Sequence, residues 1–116
     1  MSPTIVMKDG NPFLVTGSPG GSRIITTVLQ IILNVIDFNM NISEATNAVR
    51  VHHQWLPDVL NVETGLSEDT ISILQEMGYK VETGRTIGVA ESIIKKGDYL
   101  YGASDPRRSG GLTAGY

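Results

Sequence analysis

The chain reads as an α+β protein in which hairpins pack with helices. Paired β-rich runs separated by turn residues lie near both ends of the sequence, and capped stretches of helical periodicity lie between them. Its 116 residues with 41% apolar content match one domain spanning residues 1–116, with enough Ile, Val and Leu for a single core. Strands and helices that share one core in this order place the chain in the α+β class.

Thr4 to Lys8 and Phe13 to Thr16 form the first pair of strands, turned by Asp9-Gly10-Asn11-Pro12, whose first two residues favour positive φ. Gly17-Ser18-Pro19-Gly20-Gly21 is too rich in glycine for a strand. Ser22 is predicted to N-cap a helix starting near Arg23. That helix carries Ile24, Ile25, Val28, Leu29, Ile31, Ile32, Leu33, Val35 and Ile36 around most of its circumference, so burial on nearly every side is expected. A short second helix follows from Ser43 to Ala48, with Glu44 in its first turn complementing the dipole.

An extended connector comes next, broken by Pro57, with a strand at Val59 to Glu63. Ser67-Glu68-Asp69 opens a third helix with an N-cap and two acids. Ile71, Leu74 and Met77 follow at helical spacing, and Gly78 is placed to end it. Val89 to Lys95 and Tyr99 to Ala103 alternate as a second hairpin, turning through Lys96-Gly97-Asp98. The tail from Ser104 to Tyr116 is rich in Gly and Ser. A β-rich run starting so close to Met1 has nothing before it to pair with, which leads to the expectation of further chain upstream.

Charge and composition exclude several function classes. Nine basic against twelve acidic residues give a net charge of −3, and no basic run exceeds Lys95-Lys96 or Arg107-Arg108, so nucleic acid is not an expected partner. Without cysteine there is no disulfide, thiolate nucleophile or sulfur metal site. The most apolar stretch, Ile24 to Phe38, is interrupted by Thr26-Thr27, Gln30 and Asn34, so no transmembrane segment is read. The first residues also lack the basic and apolar regions of a secretory signal.

The glycine loop is the main candidate site, because a Gly-Gly pair just before a helix exposes backbone N–H groups without side-chain obstruction. It is neither G-x-G-x-x-G nor the Walker pattern, and the Lys that would reach a phosphate is absent, which weighs against a nucleotide. Two adjacent N–H donors suit one tetrahedral oxygen, making Gly20 and Gly21 candidate oxyanion donors. On spacing alone, a tight strand-to-helix turn without a ligand is the alternative. His52-His53 has no third ligand at recognisable spacing, and neighbours on an extended segment point to opposite faces, so no metal site is expected. Asp105 and Arg107, flanking Pro106, are read as an ion pair anchoring the tail. Ser2 would become an N-terminal hydroxyl nucleophile if Met1 were removed, but Pro3 and the strand after it argue against that role.

Thr16-Gly-Ser-Pro-Gly-Gly-Ser-Arg-Ile24 resembles the signature loop of the gamma-glutamyltransferases, also called glutathione hydrolases. Met1-Ser-Pro-Thr4, Glu44-Ala-Thr-Asn-Ala48, His52-His-Gln-Trp-Leu-Pro-Asp58, Ser104-Asp-Pro-Arg107 and Leu112-Thr-Ala-Gly-Tyr116 look like further segments of that family, in its order. The resemblance covers essentially the whole chain. It implies part of a layered αββα N-terminal nucleophile hydrolase fold, made as a precursor that cuts itself into a large and a small subunit. This chain then looks like the C-terminal part of the small subunit, with the rest of that subunit and the large subunit as partners.

By the same resemblance, a threonine freed at the small subunit's N-terminus attacks the γ-glutamyl carbonyl of glutathione or another γ-glutamyl compound. The ester passes to water or to an amino-acid or peptide acceptor, with no cofactor. Gly20 and Gly21 match the pair whose N–H groups form the family's oxyanion hole, and they are the substrate-binding residues expected here. The nucleophilic threonine, the large-subunit arginine that grips the substrate carboxylate, and two serines before the family's Met-Ser-Pro all fall upstream, so the nucleophile is absent from this chain. Ser2 matches an interior residue of the family, which removes it as a nucleophile. The isolated chain is expected to be inactive, since aligned catalytic groups act as a unit. A periplasmic or extracytoplasmic location is implied by the family alone. Two other readings stay open at the level of sequence: an inactive truncated partner-binding module, and a small anion-binding domain.

Overall fold

The computed structural model describes residues 2–115. Expectations falling on Met1 and Tyr116 lie outside the described residues. The chain forms two compact units, one made by the segments up to Ala48 and from Gly88 onward, the other by Val49–Ile87.

In the first unit, β1 (Ser2–Lys8), β2 (Asn11–Ser18), β6 (Glu91–Lys96) and β7 (Tyr99–Ser104) form an antiparallel sheet in the order β1-β2-β6-β7. The first turn adopts the positive φ that its residues favour, +50° at Asp9 and +77° at Gly10. Register follows the alternation of the strands: Leu14 lies opposite Ile94 and Thr16 opposite Ser92, all four buried. The helices α1 (Arg23–Ile36) and α2 (Ile42–Asn47) belong to the same unit. Leu14, Ile31, Val35, Ile42, Ala45, Ala90, Ile94 and Ala103 form its core. Complete burial of Leu14 or Ile31 is worth roughly 1.5–3 kcal/mol each.

Three expectations about the helices are corrected. α1 is not covered all round: it buries Thr27, Val28, Ile31 and Val35, while Ile25 is 74% exposed and Leu29, Leu33 and Ile36 are exposed with it. Those four residues fall on one stripe at helical spacing, and within this unit a sheet can cover only the opposite stripe. Ser22 does not cap α1 with its side chain, because it already has helical dihedrals. The first turn begins instead in the glycines, whose carbonyls accept from Arg23 and Ile24. α2 starts one residue earlier than Ser43, fixed by a capping box between Asn41 and Glu44.

The second unit contains β3 (Val51–His52), β4 (Leu60–Val62), α3 (Glu68–Glu76) and β5 (Val81–Thr83). β3 runs antiparallel to β4 and β5 parallel to it, with α3 as the crossover required between parallel strands. Ser67 caps α3 by accepting from the Thr70 N–H at 3.3 Å, as its sequence predicts. None of its residues is buried. The carboxylate of Glu63 accepts from the N–H groups of Arg50 and Ile87 at 2.9 and 2.8 Å, and Arg50 Nη1 donates to the Ile87 carbonyl at 2.9 Å. This buried charge cluster ties together the two ends of the unit.

Candidate active site

The loop between β2 and α1 is built around two glycines in conformations that side chains rarely adopt, with φ +137° at Gly20 and +59° at Gly21. Crowding is not the reason for glycine at Gly21, since a Cβ there would meet nothing within 4 Å; its backbone conformation is. Both residues are exposed, and their N–H groups donate to no acceptor among the described residues. Their carbonyls, in contrast, are engaged: Gly20 O accepts from the Arg23 N–H at 3.2 Å and Gly21 O from the Ile24 N–H at 3.1 Å.

The base of the loop is closed by Ser18, which is fully buried. Its Oγ accepts from the Val89 N–H at 2.9 Å and donates to the Pro19 carbonyl at 2.7 Å. Gly88, with φ +67°, passes close by. A Cβ on Gly88 would lie 2.8 Å from Ser18 Oγ and collide with Thr27, so here both space and conformation demand glycine. Sequence alone marks neither Ser18 nor Gly88. The partners Ser18 and Val89 are 71 positions apart, and the only local signal is a lone glycine ahead of a β-rich run.

Two open N–H donors at the N-terminal end of the 14-residue α1 make a place suited to a single anionic oxygen. No acidic residue stands in the first turn of α1 to compete for that place.

The other sequence candidates have local partners. His52 is buried, with Nε2 3.1 Å from Gln54 Oε1. His53 Nδ1 accepts from the Trp55 N–H at 3.1 Å, which leaves the Nε2 proton to donate to Asp58 Oδ1 at 3.0 Å. The two imidazoles are therefore not brought together. Among the described residues no group of three or more His, Asp or Glu side chains could hold a metal ion. Asp105 and Arg107 do pair, at 3.0 Å, but the guanidinium also reaches α2, donating to the carbonyls of Thr46 at 3.1 Å and Ala48 at 2.8 Å. Asp105 Oδ2 accepts from the Ala90 N–H at 2.8 Å, so the pair joins the end of β7 to the end of α2. Ser2 enters β1 through its backbone, opposite Ser18, and its side chain lies outside the described residues.

The model of the gamma-glutamyltranspeptidase family matches residues 1–115. The chain is 61% identical to the glutathione hydrolase proenzyme of Escherichia coli over its full length, which is 20% of that protein. A solved gamma-glutamyltranspeptidase variant from Helicobacter pylori superposes with a TM-score of 0.88 at 54% identity, covering 93% of this chain and 61% of that one. The gamma-glutamyltranspeptidase from Pseudomonas nitroreducens, complexed with L-DON, gives 0.87 at 42% identity, with 99% and 62% covered. The chain thus spans about a fifth of the length of the Escherichia coli relative and less than two thirds of each of these two solved chains.

Proposed function

The chain belongs to the gamma-glutamyltranspeptidase family and forms part of its α+β N-terminal nucleophile hydrolase fold, and on that premise we propose that it is the C-terminal portion of the small subunit of a gamma-glutamyltransferase, or glutathione hydrolase. The substrate is glutathione or another γ-glutamyl compound. A threonine carried by the part of the protein outside this chain attacks the γ-glutamyl carbonyl, its proton passing to its own α-amine. Negative charge develops on the carbonyl oxygen, and the N–H groups of Gly20 and Gly21 hold it. Collapse breaks the amide bond. The leaving amine takes the proton, and the threonine keeps the γ-glutamyl group as an ester. Water, or the amine of an amino acid or peptide, then attacks the ester through a second oxyanion in the same place and regenerates the threonine.

One observation carries the reading: the glycine pair keeps its carbonyls engaged and its N–H groups open at the start of a long helix. Such donors act where charge develops, which suits acyl transfer better than ground-state anion binding. The partners in this reading are the rest of the small subunit and the large subunit, and the location is periplasmic or extracytoplasmic. Among the described residues no helix is long and apolar enough to cross a membrane.

Release of chromophore from a γ-glutamyl anilide tests it. The purified chain, its intact mass confirmed, is expected to be silent, and the complete processed protein carrying the same segment is expected to turn the anilide over. Turnover proportional to the concentration of the isolated chain would place a nucleophile among these residues and overturn the division of roles.

A further inference from the structure

The two proposed donors are held in place by different means. A trans peptide unit is planar, so its C=O and N–H point in opposite directions and turn together. The Gly21 N–H shares its unit with the Gly20 carbonyl, which a backbone bond from Arg23 fixes at 3.2 Å. The Gly20 N–H shares its unit with the Pro19 carbonyl, and the bond that fixes this carbonyl comes from a side chain, the Ser18 hydroxyl at 2.7 Å.

We infer that Ser18 is a positioning residue for the reaction: its hydroxyl, aimed by the Val89 N–H, locks the Pro19–Gly20 peptide plane so that the Gly20 N–H faces the developing oxyanion. A hydroxyl has one proton and two lone pairs. Accepting from Val89 at 2.9 Å directs that proton towards Pro19, and complete burial of Ser18 excludes water as a competing partner. Such a lock is needed, because glycine at Gly20 offers little resistance to rotation of the adjoining peptide plane. The close approach of Gly88 keeps the clamp tight, since its Cα lies 3.8 Å from where a Cβ on Gly20 would stand.

The inference rests on the oxyanion reading above, and its test separates the two. In the complete processed enzyme, Ser18→Ala is expected to lower kcat for a γ-glutamyl anilide about tenfold, the worth of one oriented hydrogen bond, with KM within about twofold of the parent. Affinity for a boronic acid analogue of the γ-glutamyl group, which forms a tetrahedral adduct, is expected to fall by the same factor as kcat. A merely structural role would leave that match absent.

If the alanine variant fails to fold or to process, Ser18→Cys retains a weak donor in nearly the same volume and is expected to show a smaller loss of kcat, again matched by the boronate. Unchanged kcat in the variant that folds, or a rise in KM alone, overturns the inference. Exchange of Gly21 for glycolate, which replaces its N–H by an ester oxygen, runs in parallel. If that exchange lowers kcat while the Ser18 variant does not, only the role of Ser18 falls. If it leaves kcat intact, the oxyanion reading falls and the role of Ser18 falls with it.

Discussion

Within the first unit, the N-terminal end of α1 and the two ends of α2 solve the same problem in opposite ways. A helix leaves N–H groups unpaired at one end and carbonyls at the other. At α2 both ends have protein partners: Asn41 and Glu44 form a reciprocal box at the start, and Arg107, held by Asp105, takes the carbonyls of Thr46 and Ala48 at the finish. At α1 the serine that sequence rules place as a cap does not act as one, and the N–H groups of the two glycines ahead of it have no acceptor among the described residues. The closed ends hold the unit together. The open end leaves hydrogen bonding for a ligand to complete, and the difference singles out the candidate site more sharply than the glycine content of the loop does.

The comparison can be tested from its closed side. Arg107→Ala leaves the fully buried Asp105 carboxylate without its cation and uncaps α2, and is expected to cost about 3–5 kcal/mol of stability, read from the urea midpoint of the complete protein. A loss below about 1 kcal/mol would mean that water already satisfies this end. Asn41→Ala opens the other end of α2 at an exposed position and is expected to cost about 1 kcal/mol in the same assay. A loss as large as that of Arg107→Ala would show that the box fixes more than the helix start.

Legibility in the sequence followed the range of the interaction. Asp9-Gly10, Ser67 and the Gly20-Gly21 pair were readable because φ preference and capping act over a few residues. The exposed stripe Ile25, Leu29, Leu33 and Ile36 was not, since an apolar residue records what a helix can bury and not what its unit has available to cover it. β3 and β5 escaped because two and three residues are too short for alternation to show. Ser18 lay inside the loop that was singled out, yet its role depends on Val89 and Gly88, and Glu63 likewise acquires its partners Arg50 and Ile87 only by folding. The glycine pair was thus legible as a candidate, while the contacts of Ser18 that hold the Pro19 carbonyl beside it were not.

The central claim is that the Gly21 N–H, open in the structure, stabilises the oxyanion. Gly21→Pro removes that N–H but also forces φ from +59° to about −65°, mixing two effects. Exchange of Gly21 for glycolate in the complete processed enzyme removes the donor and leaves the chain path alone. The expected result is a fall in kcat of about 10²–10³-fold, on the order of 3 kcal/mol in the acylation barrier, with KM and the unfolding midpoint close to those of the parent. Unchanged kcat would contradict it, and the open end of α1 would then be a turn and not a catalytic element.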